Sequence, residues 1–114
     1  MGIDFSHCDA QWAYSGFARF RNKIAEQVGL KDYNKIDRTD DPKFQAIKRD
    51  PIKYLLAHSD CDGHLTAIQC RKLEPRIREI LSSWSDDDRD KHRGLELCEG
   101  LKLAGEKNQR LEFR

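Results

Sequence analysis

The sequence predicts a single, mainly α-helical domain that spans residues 1–114. Residues with unbranched side chains, which favour helices, are common, whereas the strand-favouring valine and threonine occur only once and twice. Apolar residues also recur at steps of three and four, which is the spacing of one helix face. A chain of 114 residues has the size of one ordinary domain.

Both ends of the chain carry short strand patterns. Ile3 and Phe5 alternate with polar residues near the start, and Leu111 and Phe113 do so near the end. Such alternation places the apolar side chains of each pair on one face of a strand. We therefore expect a short two-stranded ribbon that joins the termini over the core.

The first helix is predicted to start at Asp9 or Ser15. Gly29 followed by Leu30 is a typical helix end, because glycine tolerates the left-handed conformation that closes many helices. The inward face consists of residues at helical spacing, namely Phe17, Phe20, Ile24 and Val28. Further along, Asp41-Pro42 and Asp50-Pro51 predict two short helices, near 42–49 and 51–58.

Two longer helices follow in the second half of the chain. Thr66 is predicted to cap the first of them with help from Gln69, and Pro75 should kink or divide it. Ser85 and the aspartates at 86–88 mark the start of the second, which should end at Gly105. The predicted buried residues are Ile68, Leu73, Ile77, Ile80 and Leu81, then Leu95, Cys98 and Leu101.

Composition narrows the classes of function. The net charge is +1 and no block of the chain has one sign, so we expect no nucleic-acid partner. No stretch approaches the roughly 20 apolar residues that span a bilayer, and the start lacks a secretory pattern. We therefore expect a cytoplasmic protein without a membrane partner, in which the four cysteines are reduced thiols.

One segment, 58–69, carries recognisable chemistry and reads His-Ser-Asp-Cys-Asp-Gly-His-Leu-Thr-Ala-Ile-Gln. It resembles the calcium loop of EF-hand proteins, in which oxygen ligands occupy positions one, three, five, seven, nine and twelve, and glycine occupies position six. The resemblance implies an EF-hand-like helix–loop–helix at the centre of the fold, with a calcium site. The residues of that site would be Asp60, Asp62, His64, Thr66 and Gln69.

The segment departs from the EF-hand pattern at both ends. Position one is His58, a nitrogen ligand, and position twelve is Gln69, a neutral amide where the family has a carboxylate. Calcium binding would therefore be weak. The preferred interpretation is a structural turn, in which aspartate and glycine close the chain without an ion.

A zinc site is an alternative interpretation of the same segment. Zinc takes histidine and cysteine ligands. His58 and Cys61 are the first candidates, and His64 and Cys70 are close enough in sequence to join them, with His7 and Cys8 as further candidates. The spacing does not reproduce a paired C-x2-C site, and a cysteine on an apolar helix face is more often a buried small residue than a ligand.

An enzymatic interpretation rests on His58, Asp60 and Asp62. Followed by Gly63, they resemble the first metal motif of the DHH phosphoesterases. That resemblance implies a metal-dependent hydrolase in which metal ions activate water. The family places this motif after a strand, whereas the residues before His58 favour a helix.

Across its length the chain also resembles short bacterial proteins of uncharacterised function that carry similar His-Ser-Asp-Cys-Asp-Gly and Tyr-Ser-Gly-Phe segments. This resemblance implies a compact intracellular domain and no particular activity. Since the sequence offers no convincing catalytic set, we expect a small non-enzymatic module. It would bind a protein partner or, weakly, a metal ion.

Overall fold

The protein is mainly α-helical, as the sequence predicts. The computed structural model describes residues 2–30, 47–58 and 63–114. The helices are α1 (Tyr14–Gln27), α2 (Lys53–Leu56), α3 (Ala67–Leu81) and α4 (Arg89–Glu106). The strands are β1 (Gly2–Asp4), β2 (Gln11–Ala13), β3 (His64–Leu65) and β4 (Leu111–Glu112).

Two antiparallel ribbons meet where the termini come together. Ile3 of β1 pairs with Trp12 of β2, and Leu111 of β4 pairs with Leu65 of β3. A bridge between Phe5 and Phe113 joins the ribbons, so the terminal segments do pair, as predicted. The main strand partners of each terminus, however, come from elsewhere in the chain.

Helix α1 begins at Tyr14, so the start predicted at Ser15 is correct within one residue and the start at Asp9 is wrong. Before the helix, Gln11–Ala13 form strand β2, in which Trp12 pairs with Ile3 of β1. The helix ends as predicted. Gly29 has a φ of +85°, and the amide of Leu30 donates to the carbonyl of Ala25 at 2.8 Å, which closes the last turn.

The predicted pair of short helices is confirmed in part. Most of the predicted helix near 42–49 lies outside the described residues, and residues 48 and 49 form a turn. The second is observed as the four-residue α2. Asp50 caps the turn before it, since the amide of Ile52 donates to the Asp50 carboxylate at 3.0 Å.

Helix α3 corrects one prediction and part of another. Ile68 was expected in the buried stripe but is 59% exposed, because Ala67, Cys70 and Leu73 set the phase of the inward face. The helix also continues through Pro75 without division. Pro75 lies on the exposed side, where water can satisfy the carbonyl that lacks its helical donor.

Helix α4 begins after Asp88, whose side chain accepts from the amides of Asp90 and Lys91. This confirms the predicted acidic start, and the helix ends one residue after Gly105. The predicted Cys98 and Leu101 are buried. Helices α3 and α4 form the largest interface between elements. None of the described helices is long and apolar enough to cross a membrane.

Candidate functional site

The structure describes both ends of the 58–69 segment. Asp60, Cys61 and Asp62 lie outside the described residues. His58 is the last described residue before them, and Gly63 is the first after them. The calcium, zinc and phosphoesterase interpretations therefore stay predictions at the three central positions.

His58 connects the end of α2 to the C-terminal ribbon. Its imidazole stacks on the ring of Phe113, with centroids 3.8 Å apart. Its Nε2 lies 3.1 Å from the carbonyl oxygen of His64. Because a carbonyl can only accept, Nε2 carries the proton in this contact. In this arrangement Nε2 is engaged with the backbone and is not presented as a metal ligand.

Gly63, the first described residue after His58, has a left-handed backbone conformation. Its φ is +93°, and a β-carbon at this position would lie 3.1 Å from the His58 ring. Glycine therefore fits both the turn and the close approach of the imidazole. The carbonyl of Gly63 accepts from the amide of Phe113 at 2.9 Å. The exit of the segment is thus tied to the C-terminal end of the chain.

Thr66 and Gln69 form the predicted capping box. The Thr66 hydroxyl accepts from the Gln69 amide at 3.2 Å, and the Gln69 side-chain oxygen accepts from the Thr66 amide at 2.9 Å. An EF-hand would use oxygens at these two positions as calcium ligands. Here both oxygens serve the start of α3.

Two of the cysteines that the structure describes, Cys70 and Cys98, are buried thiols. Cys70, a candidate partner in the zinc interpretation, is fully buried and its sulfur lies 3.9 Å from the carbonyl oxygen of Leu65. Burial raises the pKa of the Cys70 thiol, and burial raises the pKa of Cys98 to about 12. Because zinc ligands are thiolates, a zinc ion would have to displace the proton of each buried thiol.

The described part of the chain contains no group of three or more His, Cys, Asp or Glu side chains that could hold a metal ion. His64 is exposed, and its strand β3 pairs with β4. The residues immediately before His58 form helix α2, whereas the DHH phosphoesterases have a strand there.

Ile68 is an unexpected surface feature on the first turn of α3. Among the residues that the structure describes, Ile68 is the one large hydrophobic residue that is exposed. Lys72 and Pro75 follow on the same exposed face at helical spacing. The sequence contains Ile68 at a plausible core spacing, so only the observed phase of α3 shows that it faces solvent.

A buried carboxylate that the sequence did not predict joins α1 to α4. Asp90 is 3% exposed and accepts two bonds from Arg19, at 3.0 and 3.2 Å. The indole nitrogen of Trp12 lies 3.4 Å from the same carboxylate, and the ammonium of Lys23 lies 3.6 Å away. These groups come from distant parts of the chain, so their convergence has no local sequence signal.

A cleft of about 440 Å³ lies beside this cluster, between α1 and the α3–α4 connection. The ammonium of Lys23 lies 4.4 Å from the centre of the Trp84 ring and 2.5 Å from the Asp88 carboxylate. The protein's own lysine therefore occupies the aromatic face where a cation would bind. The cleft is lined by Lys23, Glu26, Gln27, Trp84, Ser85 and Asp88.

Comparisons with protein-family models, with curated proteins and with solved structures gave no match to this chain.

Proposed function

We propose that the protein is a small binding module without catalytic activity, and that it contacts a protein partner through the surface around Ile68. The observation that carries this proposal is the 59% exposure of Ile68 on a capped helix turn. Complete burial of a fully exposed isoleucine side chain contributes about 1.5–3 kcal/mol, and a partner that covers the exposed part of Ile68 gains the corresponding fraction.

The surroundings of Ile68 support this proposal because they are held in place before binding. The capping box fixes the first turn of α3, and Leu65, three residues earlier, is buried and paired with Leu111. A preordered surface loses less conformational entropy when a partner binds.

The chemistry of the exposed face indicates what the partner should offer. Lys72 lies one turn after Ile68 and is exposed. A complementary partner would present an apolar pocket for Ile68 and an acidic group beside it for Lys72, since opposite charges at the rim favour the correct orientation.

Site-specific photocrosslinking in cells that express the protein natively tests the partner surface. Ile68 is replaced by p-benzoylphenylalanine, and exposed Arg89 at the opposite end of the α3–α4 pair is replaced in the control. We expect a discrete adduct from position 68 that the control position does not give. No adduct from position 68, or the same adducts from both positions, would overturn the proposal.

The 58–69 segment has a structural role under this proposal, so added ions should not stabilise the fold. Thermal unfolding in chelator, in calcium and in zinc tests this expectation. An ion at a hundred times its dissociation constant would stabilise by about 2.7 kcal/mol, or several degrees. We expect no shift, because the Thr66 and Gln69 oxygens already cap α3.

Matched variants decide what a shift would mean. A calcium shift lost in Asp62→Asn and kept in Asp87→Asn, a control in the exposed loop before α4, would make the segment a weak calcium site. A zinc shift lost in Cys61→Ser would assign zinc instead. Metal-dependent hydrolysis of bis(p-nitrophenyl) phosphate that Asp62→Asn abolishes would contradict the non-enzymatic proposal and favour the phosphoesterase.

A further inference from the structure

We infer that Arg21, on α1, is the positioning residue for the entrance to the 58–69 segment. Its Nη1 donates to the carbonyl of His58 at 2.6 Å and to the carbonyl of Leu55 at 3.3 Å. The residue is 9% exposed, although it carries a permanent charge. Helix α1 thereby holds the end of α2 at the point where the 58–69 segment begins.

Helix α2 has only four residues, and the carbonyl of Leu55 near its end also accepts from the His58 amide at 3.4 Å. The last carbonyl groups of any helix have no donor within the helix. A very short helix also gains little from its own hydrogen bonds. Arg21 supplies donors from outside, because the two N–H groups of its Nη1 are held in one rigid, planar guanidinium and reach two backbone carbonyls.

Arg21 is itself fixed by packing. Its guanidinium carbon lies 4.7 Å from the centre of the Phe17 ring, one turn earlier on α1. A guanidinium is weakly hydrated and is attracted to an aromatic face, which makes burial less costly than for other cations. The packing of Arg21 on Phe17 therefore fixes the position of the His58 carbonyl.

A series of contacts connects Arg21 through His58 to the proposed binding surface around Ile68. The His58 ring stacks on Phe113 and donates to the carbonyl of His64 in β3. Strand β3 leads directly into Thr66 and the first turn of α3, which carries Ile68. Insofar as it concerns partner binding, this inference rests on the proposed function of the Ile68 surface.

NMR of the full chain tests the positioning role directly. The Phe113 ring should shift the His58 ring protons upfield in the wild-type protein. In Arg21→Met these resonances should move towards their positions in the urea-unfolded protein, because His58 leaves Phe113. Wild-type His58 shifts in folded Arg21→Met would overturn the inference.

Arg19→Met is the matched control, because Arg19 lies on the same helix and bonds to Asp90 rather than to α2. It should lower the thermal midpoint and leave the His58 resonances unchanged. An equal change of the His58 resonances in Arg19→Met would show a general loss of structure and overturn the positioning role.

Two further measurements keep the test decisive. If Arg21→Met does not fold, Arg21→Gln replaces it, since the shorter amide cannot reach the His58 carbonyl. In the wild-type protein, rapid solvent exchange of the Arg21 guanidinium protons would also overturn the inference. Adduct yield from position 68 should fall several-fold in Arg21→Met and not in Arg19→Met. Absence of any wild-type adduct would defeat the partner proposal alone, because the His58 resonances would still decide the role of Arg21.

Discussion

Single residues fix the contact between α1 and α4, and Asp90 is the clearest case. Burial raises the pKa of its carboxyl group, but the hydrogen bonds and charge of Arg19, with the charge of Lys23, outweigh burial and hold that pKa below its usual range. The carboxylate also accepts from the Trp12 indole. One side chain therefore satisfies partners on β2 and α1.

Asp90→Asn should lower the free energy of unfolding by about 2–3 kcal/mol, because the amide keeps the shape and loses the charge that Arg19 and Lys23 require. The exposed side chain of Arg19 keeps the loss at the lower end of the range for broken buried pairs. Urea unfolding measures the difference. Asp87→Asn, at an exposed position, should change stability by less than about 0.5 kcal/mol, and equal effects would contradict the role of Asp90.

At the scale of elements, local signals account for where α3 begins. A threonine followed by a glutamine three residues later is a short-range pattern, and the structure has the reciprocal bonds that it predicts. The phase of the same helix was less evident from sequence. Ile68 and Leu73 are both apolar, and only contact with α4 and the ribbons decides which of them is buried.

Thr66→Ala should destabilise the protein by about 1 kcal/mol, because the amide of Gln69 loses its acceptor at the start of α3. The urea midpoint should fall while the slope of the transition stays constant. Ser82→Ala, at the other end of the helix, removes a hydroxyl that donates to the Glu79 carbonyl and should have less effect. A larger loss in Ser82→Ala would show that the capping box contributes little.

At the scale of the whole molecule, carboxylates connect elements that are distant in sequence. Asp50, which precedes α2, pairs with Arg76 of α3, and Asp88, which caps α4, pairs with Lys23 of α1. Burial raises the pKa of Asp50, but the Arg76 hydrogen bonds outweigh it and lower the pKa overall. The Lys23 hydrogen bond lowers the pKa of Asp88.

These lowered pKa values predict loss of stability in acid. A carboxyl group whose pKa is lower in the folded protein stabilises it above the ordinary value of 3.8, and this contribution is lost as pH falls through the folded pKa. The free energy of unfolding should be nearly constant from about pH 7 to pH 5 and should fall below about pH 4. Urea unfolding at each pH measures it.

Asp90→Asn provides the control for the acid effect. It lacks one of the carboxyl groups with lowered pKa values, so its stability should fall less steeply with pH than that of the wild type. A stability that rises on acidification, or an identical slope in the two proteins, would contradict this account.

The sequence by itself determined the helical class, the end of α1 at Gly29, the caps at Asp50 and Thr66, and the acidic start of α4. These features depend on periodicity and on residues a few positions apart. The tertiary structure alone decided the burial of Asp90, the contact of Arg21 with His58 and the exposure of Ile68. Each depends on which distant elements pack together, because burial and charge pairing are properties of the assembled core and not of neighbouring residues.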